Sequence, residues 1–202
     1  MANEIKSEFL TGDYIVLEPM TLEHTAALSL AAADGELWTL WYTSVPQPDE
    51  MKLYIETALA SEKAGEALAF VVRDTHSGEI IGSTRICRWD QKNRRLEIGY
   101  TWYAKRAQRT GVNSEAKLLL LQYAFETLDV MAVEFRTHWC NQTSREAITR
   151  LGAKQDGVLR NHQLLADGTV RDTVIYSIID SEWPWVKENL LARLSKHALV
   201  AE

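Results

Sequence analysis

The chain has 202 residues, 46% apolar and 25% charged, with a formal net charge of −6, as expected of a globular protein with a substantial core. Acidic and basic residues are mixed along the chain, which argues against a nucleic-acid surface and favours cationic or amine partners. Cys87 and Cys140 make no disulfide framework, no Cys/His group has metal-ligand spacing, and no apolar run reaches membrane length. The expectation is one cytoplasmic domain without metal or membrane contact, with a loose leader over 1–11 and a helical tail over 184–202.

Residues 13–19 read as a strand stopped by Pro19, and Thr21-Leu22-Glu23-His24 opens a helix backed by Ala27, Leu28 and Ala31. The aromatic stretch with Trp38, Trp41 and Tyr42 leads through Pro46-Gln47-Pro48 into a helix over about 49–63. Residues 67–73 and 79–86 flank Asp74-Thr75-His76-Ser77-Gly78, a hairpin signal. Residues 94–103 add a third antiparallel strand, with Leu96, Ile98, Tyr100 and Trp102 on one face and Glu97, Gly99, Thr101 and Tyr103 on the other.

From Ser114 onward the period becomes helical, carried by Ala116, Leu118, Leu121 and Phe125. Gln108-Arg109-Thr110-Gly111-Val112-Asn113 joins the strand to this helix. A basic loop running into a helix N-terminus presents free N–H groups and the positive end of a helix dipole, an arrangement suited to an anion such as phosphate. Residues 132–139 give a further strand, so strand, helix and strand imply a right-handed parallel crossover with the loop at the C-terminal end of its first strand. Thr143-x-x-Glu146 has the form of a capping box, and the tail reads as a surface helix packing through Trp185, Val186, Leu190, Leu191 and Leu194.

Gln108-x-x-Gly111-x-Asn113 resembles the Gln-x-x-Gly-x-(Gly/Ala) pyrophosphate loop of the GNAT N-acetyltransferase superfamily, departing from it at Asn113. Asn141 to Ala153 is similar to the Asn-x-x-Ser…Leu-Gly-Phe segment of the RimJ/RimL-type branch, the ribosomal-protein N-terminal acetyltransferases and their relatives. It keeps Asn141, Ser144, Leu151 and Gly152, with Ala153 in place of Phe. Residues 156–160 and 167–177 resemble the closing strand hairpin of that branch. The resemblance covers residues 13–183. It implies a mixed α+β fold, a twisted and mostly antiparallel sheet with one splayed parallel pair, flanked by helices. It also implies acetyl-CoA as cofactor, its pantetheine arm lying between the splayed strands. Trp102, Tyr103, Gln108, Arg109, Thr110, Gly111, Val112, Asn113, Ser114 and Asn141 fall at its CoA-binding positions.

The implied reaction is transfer of an acetyl group from the CoA thioester to a primary amine by direct attack in a ternary complex. Such a site must hold the amine neutral, stabilise the carbonyl oxygen and assist the departing thiolate. Neutralising a lysine at pH 7 costs about 4–5 kcal/mol, an α-amine only about 1 kcal/mol. Glu97, fourteen residues before Gly111, resembles the catalytic Glu of the histone-acetyltransferase branch; its plain alternative is a surface glutamate paired with Arg85, Arg94 or Arg136. Glu134 on the next strand is the second candidate base. No Tyr occurs between Asn141 and Tyr176, so Ser144 is the available thiolate donor. Trp38, Trp41, Tyr42, Trp89 and His138 are the expected acceptor contacts; His162 has no recognised partner spacing. The acceptor is a protein N-terminus or a small amine, and a homodimer fits the branch. The competing readings are a non-catalytic acyl-CoA-binding regulator and an unrelated α+β phosphate binder.

Overall fold

Strands with apolar residues on their inner positions must cover them, and this chain does so with helices on both faces of one sheet. The computed structural model describes residues 5–165 and 167–198. Its strands are β1 (Leu10–Thr11), β2 (Ile15–Pro19), β3 (Leu68–Asp74), β4 (Ile80–Asp90), β5 (Arg95–Tyr103), β6 (Ala132–His138), β7 (Lys154–Leu164) and β8 (Val170–Ile179). They lie in the order β1-β2-β3-β4-β5-β6-β8-β7. β5 and β6 pair in parallel, and the remaining neighbours are antiparallel, the architecture expected.

Helices α1 (Thr25–Ala33) and α2 (Met51–Lys63) cover one face, where Leu28, Ala32, Met51 and Ile55 pack on Ala69, Val71 and Trp102. The other face carries α3 (Val112–Gln122), α4 (Gln142–Leu151) and α5 (Trp183–Ala198). There Ala116, Leu120, Leu121, Ile148, Val186 and Leu190 meet Leu17, Phe70, Ile86, Leu96 and Ile98. A π-helical turn, Tyr123–Thr127, closes α3.

The tail departs from expectation. α5 packs through Trp183, Val186, Leu190 and Leu194, all buried, and leaves Trp185 and Leu191 exposed. Trp183 sets this stripe: its ring stacks on Phe125 with centroids 5.4 Å apart, and its Nε1 donates to Glu126 Oε1 at 2.9 Å. The leader is also partly engaged, because Leu10–Thr11 pairs with β2. Glu115 of α3 fixes that corner by accepting the N–H groups of Asp13, Tyr14 and Ile15, each at 2.8 Å.

Two features of β5 position the site. Arg95, Leu96 and Glu97 lie opposite Ala132, Val133 and Glu134, and beyond that point the strands part, β5 staying with β4 and β6 with β8. A wedge opens between them. Within it, Tyr100 takes a left-handed backbone (φ +51) and the β4–β5 register shifts. This bulge reverses the alternation predicted for the strand's second half. Thr101 and Tyr103 turn to the α3 face with Leu96 and Ile98, while Tyr100 and Trp102 turn to the α1–α2 face with Glu97.

Candidate active site

The loop expected to hold pyrophosphate stands at the wide end of the wedge. α3 begins at Val112, two residues earlier than its apolar period indicates, with Gly111 as its N-cap. Gly111 is right-handed (φ −67), and the loop's left-handed residue is Arg109 (φ +63). Asn113 therefore sits inside the first turn of the helix and is not left-handed. Thr110 ties the turn, donating to Ala107 O at 2.7 Å and accepting from Val112 N–H at 3.3 Å. Glu115 N–H makes the first helical bond, to Gly111 O at 3.0 Å. The N–H groups of Gly111, Asn113 and Ser114 have no partner among the described residues, which leaves a cluster of donors at the positive helix end.

Gln108 has a second task, since its Nε2 donates to Tyr103 O at 3.0 Å and holds the end of β5. Ala104 N–H bonds Ile81 O of β4 at 2.8 Å, so strand alternation turns Tyr103 N–H the other way, into the wedge. That amide is left open on the side of the wedge. Under the same gap lies Lys117 of α3, 5% exposed, with Nζ donating to Thr101 Oγ1 at 2.8 Å and 5.9 Å from the Phe135 ring of β6. Burial pushes its amine down to about 7.

Glu97 stands at the apex of the wedge on the α1–α2 face, buried. Arg88 Nε lies 2.9 Å from its Oε2, close enough for an ion pair yet out of line for a hydrogen bond, and Arg136 Nε lies at 3.4 Å. Glu134, its partner across the parallel pair, takes Arg136 Nη2 at 2.9 Å and Arg95 Nη2. Of the pairings expected for Glu97, Arg136 forms; Arg94 pairs with Asp129 instead. Burial holds the Glu97 carboxyl above the usual range against the pull of Arg88 and Arg136. Cys87, opposite Glu97 on β4, is pushed up to about 12 by burial, with Glu97 adding to the shift, and is no nucleophile.

The acceptor-side aromatics divide. The turn after α1 reaches across to β6, setting the Trp41 ring edge-on to His138 with centroids 5.0 Å apart, and Tyr42 5.6 Å from Trp41. His138 is buried; its Nδ1 accepts Cys140 N–H at 3.0 Å, so the ring proton is on Nε2, which is buried without a partner. Burial keeps this imidazole below its ordinary range and therefore neutral. Trp38 packs into the α1–α2 cluster. The structure does not bring Trp89 to this group: it lies past Glu97 toward the other end of β4, on the α3-side core, beside Ile5, Ser7 and Leu68. His162 is engaged with Thr173 Oγ1 at 3.0 Å.

At the start of α4 the cap is Asn141, whose Oδ1 accepts Ser144 N–H at 3.0 Å; the Thr143–Glu146 capping box does not form. The helix begins two residues earlier than that box requires, so Thr143 is already within its first turn. The Ser144 hydroxyl has no partner among the described residues. Sequence reasoning offered Arg85 only as a partner for Glu97, a pairing that does not form among the described residues, and did not single out Tyr54 or Lys117. The signals were a lone charge inside the buried run 80–87, and a lysine three and four positions before Leu120 and Leu121, on the core side of its helix.

Residues 15–154 match the acetyltransferase (GNAT) domain family. YdaF of Bacillus subtilis (strain 168), provisionally named a ribosomal N-acetyltransferase, is 28% identical over 170 residues, covering 83% of this chain and 91% of its own. Among solved structures, a GCN5-related N-acetyltransferase from Brucella melitensis superposes with a TM-score of 0.83 at 30% identity, covering 94% of this chain and 86% of that one. Mycobacterium smegmatis RimJ, in complex with CoA-disulfide, shares the fold with a TM-score of 0.75 at 22% identity, covering 89% and 88%. With a wedge between parallel strands, a donor-rich helix start at its mouth and these matches over most of the chain, the protein belongs to the GNAT acetyltransferase family and is an acyltransferase.

Proposed function

We propose that the protein is an acetyl-CoA-dependent N-acetyltransferase in which a primary amine attacks the thioester directly within a ternary complex. The observation that carries this reading is the parting of β5 and β6 immediately after Glu97 and Glu134, which leaves unpaired strand edge where an acyl-pantetheine arm fits. The free amides of Gly111, Asn113 and Ser114 at the mouth of the wedge fit its pyrophosphate. Acetyl-CoA supplies the activated acetyl group; the chain supplies placement and proton handling.

Each task has a residue. Tyr103 N–H, with Trp102 fixing the strand on the opposite face, is placed to stabilise the carbonyl oxygen as charge develops. Glu97 takes the amine's proton, directly or through a water, and its burial makes it a stronger base than an exposed glutamate. Ser144 gives a proton to the leaving thiolate, while Asn141, committed by its Oδ1 to capping, keeps its amide nitrogen for the pantetheine. Trp41, Tyr42 and His138 wall the acceptor side, and His138 Nε2–H is a buried donor without a partner among the described residues.

The test measures thiol release from acetyl-CoA against N-terminal peptides, polyamines, amino acids and aminoglycosides, with calorimetric acetyl-CoA binding alongside. Turnover with one amine class supports the reading. Tight acetyl-CoA binding without turnover on any amine favours the regulator instead.

A further inference from the structure

We propose that the amine acceptor of this site carries a carboxylate group and that Arg85 receives it; this deepens, and rests on, the N-acetyltransferase reading above. Arg85 lies on β4 opposite Gly99 of β5, beside the Tyr100 bulge and on the same face as Glu97. The residue is 5% exposed. Its guanidinium carbon sits 4.2 Å from the ring centre of Tyr54 on α2 and 4.4 Å from that of Tyr100 on β5. Nη2 makes one long bond, 3.3 Å, to Tyr54 O, and Nε is buried with no partner. No carboxylate among the described residues pairs with it. A guanidinium has five N–H donors, and burying its charge unpaired is costly. Aromatic contact offsets part of that cost and leaves the missing anion unexplained.

Neighbouring arginines are already engaged. Arg88 pairs with Glu97, Arg136 with Glu97 and Glu134, and Arg95 with Glu134. Arg171 of β8 adds a further positive charge on this face, bonded to Thr173 Oγ1 rather than to a carboxylate. A chain of net charge −6 therefore presents a locally cationic acceptor face, contrary to the cationic partners its composition favours.

The geometry selects the anion. Two tyrosine rings lie against the Arg85 guanidinium, whose edge a flat carboxylate would meet with two parallel N–H···O bonds. Tyr100, 47% exposed, is the ring that must swing to admit it. Gly99 and Glu97 are two residues apart on one strand, roughly 7 Å, so a carboxylate on Arg85 leaves an amine a few bonds away at the apex of the wedge. Free amino acids and peptides with an acidic first residue both supply this chemistry.

The experiment compares matched acceptors on the full-length protein: butylamine with 4-aminobutyrate, phenethylamine with phenylalanine, and peptides beginning with Gln or Glu. Wild type is expected to favour the carboxylated member by about tenfold to hundredfold in kcat/KM, the effect of one charge-assisted contact. Which pair shows it identifies free amino acid or peptide. Arg85→Met should abolish that preference, and Arg85→Lys should restore part of it. Calorimetric binding of the carboxylated amines to the CoA-saturated protein is read in parallel, without turnover. Arg85-dependent binding with no acetylation supports the carboxylate site and sinks the acetyltransferase reading. Equal or better use of the neutral member by wild type, or a preference that survives Arg85→Met, overturns the proposal; the wild-type comparison decides even where the variants fail to fold.

Discussion

The two halves of β5 share one strand and differ in what holds them. Arg95 to Glu97 is paired on both edges, with β4 and β6, and its side chains alternate as a regular strand requires. Tyr100 to Tyr103 is paired on one edge only, begins with a left-handed residue and ends with an amide open to the wedge. A left-handed tyrosine costs about 1–2 kcal/mol, and an unpaired strand edge is ordinarily a liability. The contrast teaches that the regular half builds the sheet and places Glu97, while the irregular half gives up pairing and leaves backbone donors open.

Removing the acidic group at the junction of the two halves should have the largest effect. Glu97→Gln is expected to lower kcat by about 10²–10⁴-fold with acetyl-CoA affinity by calorimetry unchanged; full activity in the variant would return Glu97 to a structural ion pair. Because burial raises the Glu97 carboxyl above 4.5, the acidic limb of kcat/KM should lie above that pH in wild type and vanish in the variant. Beneath the irregular half, Lys117→Met should stabilise. The unfolded lysine titrates near 10.5 and the buried one near 7, so between those values the unfolded chain binds a proton that the folded chain does not. Wild-type stability should therefore rise as pH increases from 7 to 10.5, and burial of this amine costs up to about 4 kcal/mol at pH 7. Urea unfolding across that range should give a sloping profile for wild type and a flatter, higher one for the variant.

How far the sequence reveals these two halves follows from the range of the forces involved. The regular half is legible because period-two alternation at Leu96, Glu97 and Ile98 is a local signal. The bulge is not, since Gly99 is the natural left-handed candidate and Tyr100 fits the alternation on paper; the register shift comes from pairing with β4. Gln108 and Gly111 are legible as a loop motif, but the hydrogen bond from Gln108 to Tyr103 O depends on where β5 ends. Trp89 fits an aromatic acceptor wall by type and is placed elsewhere by strand parity and position along β4. Trp41 meets His138 across 97 residues of chain, a contact that no local pattern encodes. The tail's packing stripe is a near miss: Val186, Leu190 and Leu194 are apparent in its helical period, and Trp183, one residue before Pro184, decides its phase.

The remaining tests act on the irregular half directly. A Cβ at Gly82 would run into the Trp102 carbonyl and press on Tyr103, so Gly82→Ala must push β4 from β5 where β5 has no second neighbour. The expected cost is about 1–3 kcal/mol in stability, with a larger KM for acetyl-CoA as Tyr103 N–H is displaced. An unchanged KM would mean that this amide does not face the donor. The smallest effect isolates the bulge. Tyr100→Gly and Tyr100→Ala both remove the ring from Arg85, and they differ only in the cost of a left-handed backbone. The glycine variant should therefore be the more stable by about 1 kcal/mol, measured as a difference in unfolding midpoint at equal slope. If alanine is as stable as glycine, the strand has relaxed out of the left-handed conformation. Thr101 and Trp102 would then return to the faces that simple alternation predicts, and the distinction between the two halves of β5 would rest on the Tyr100 ring rather than on its backbone.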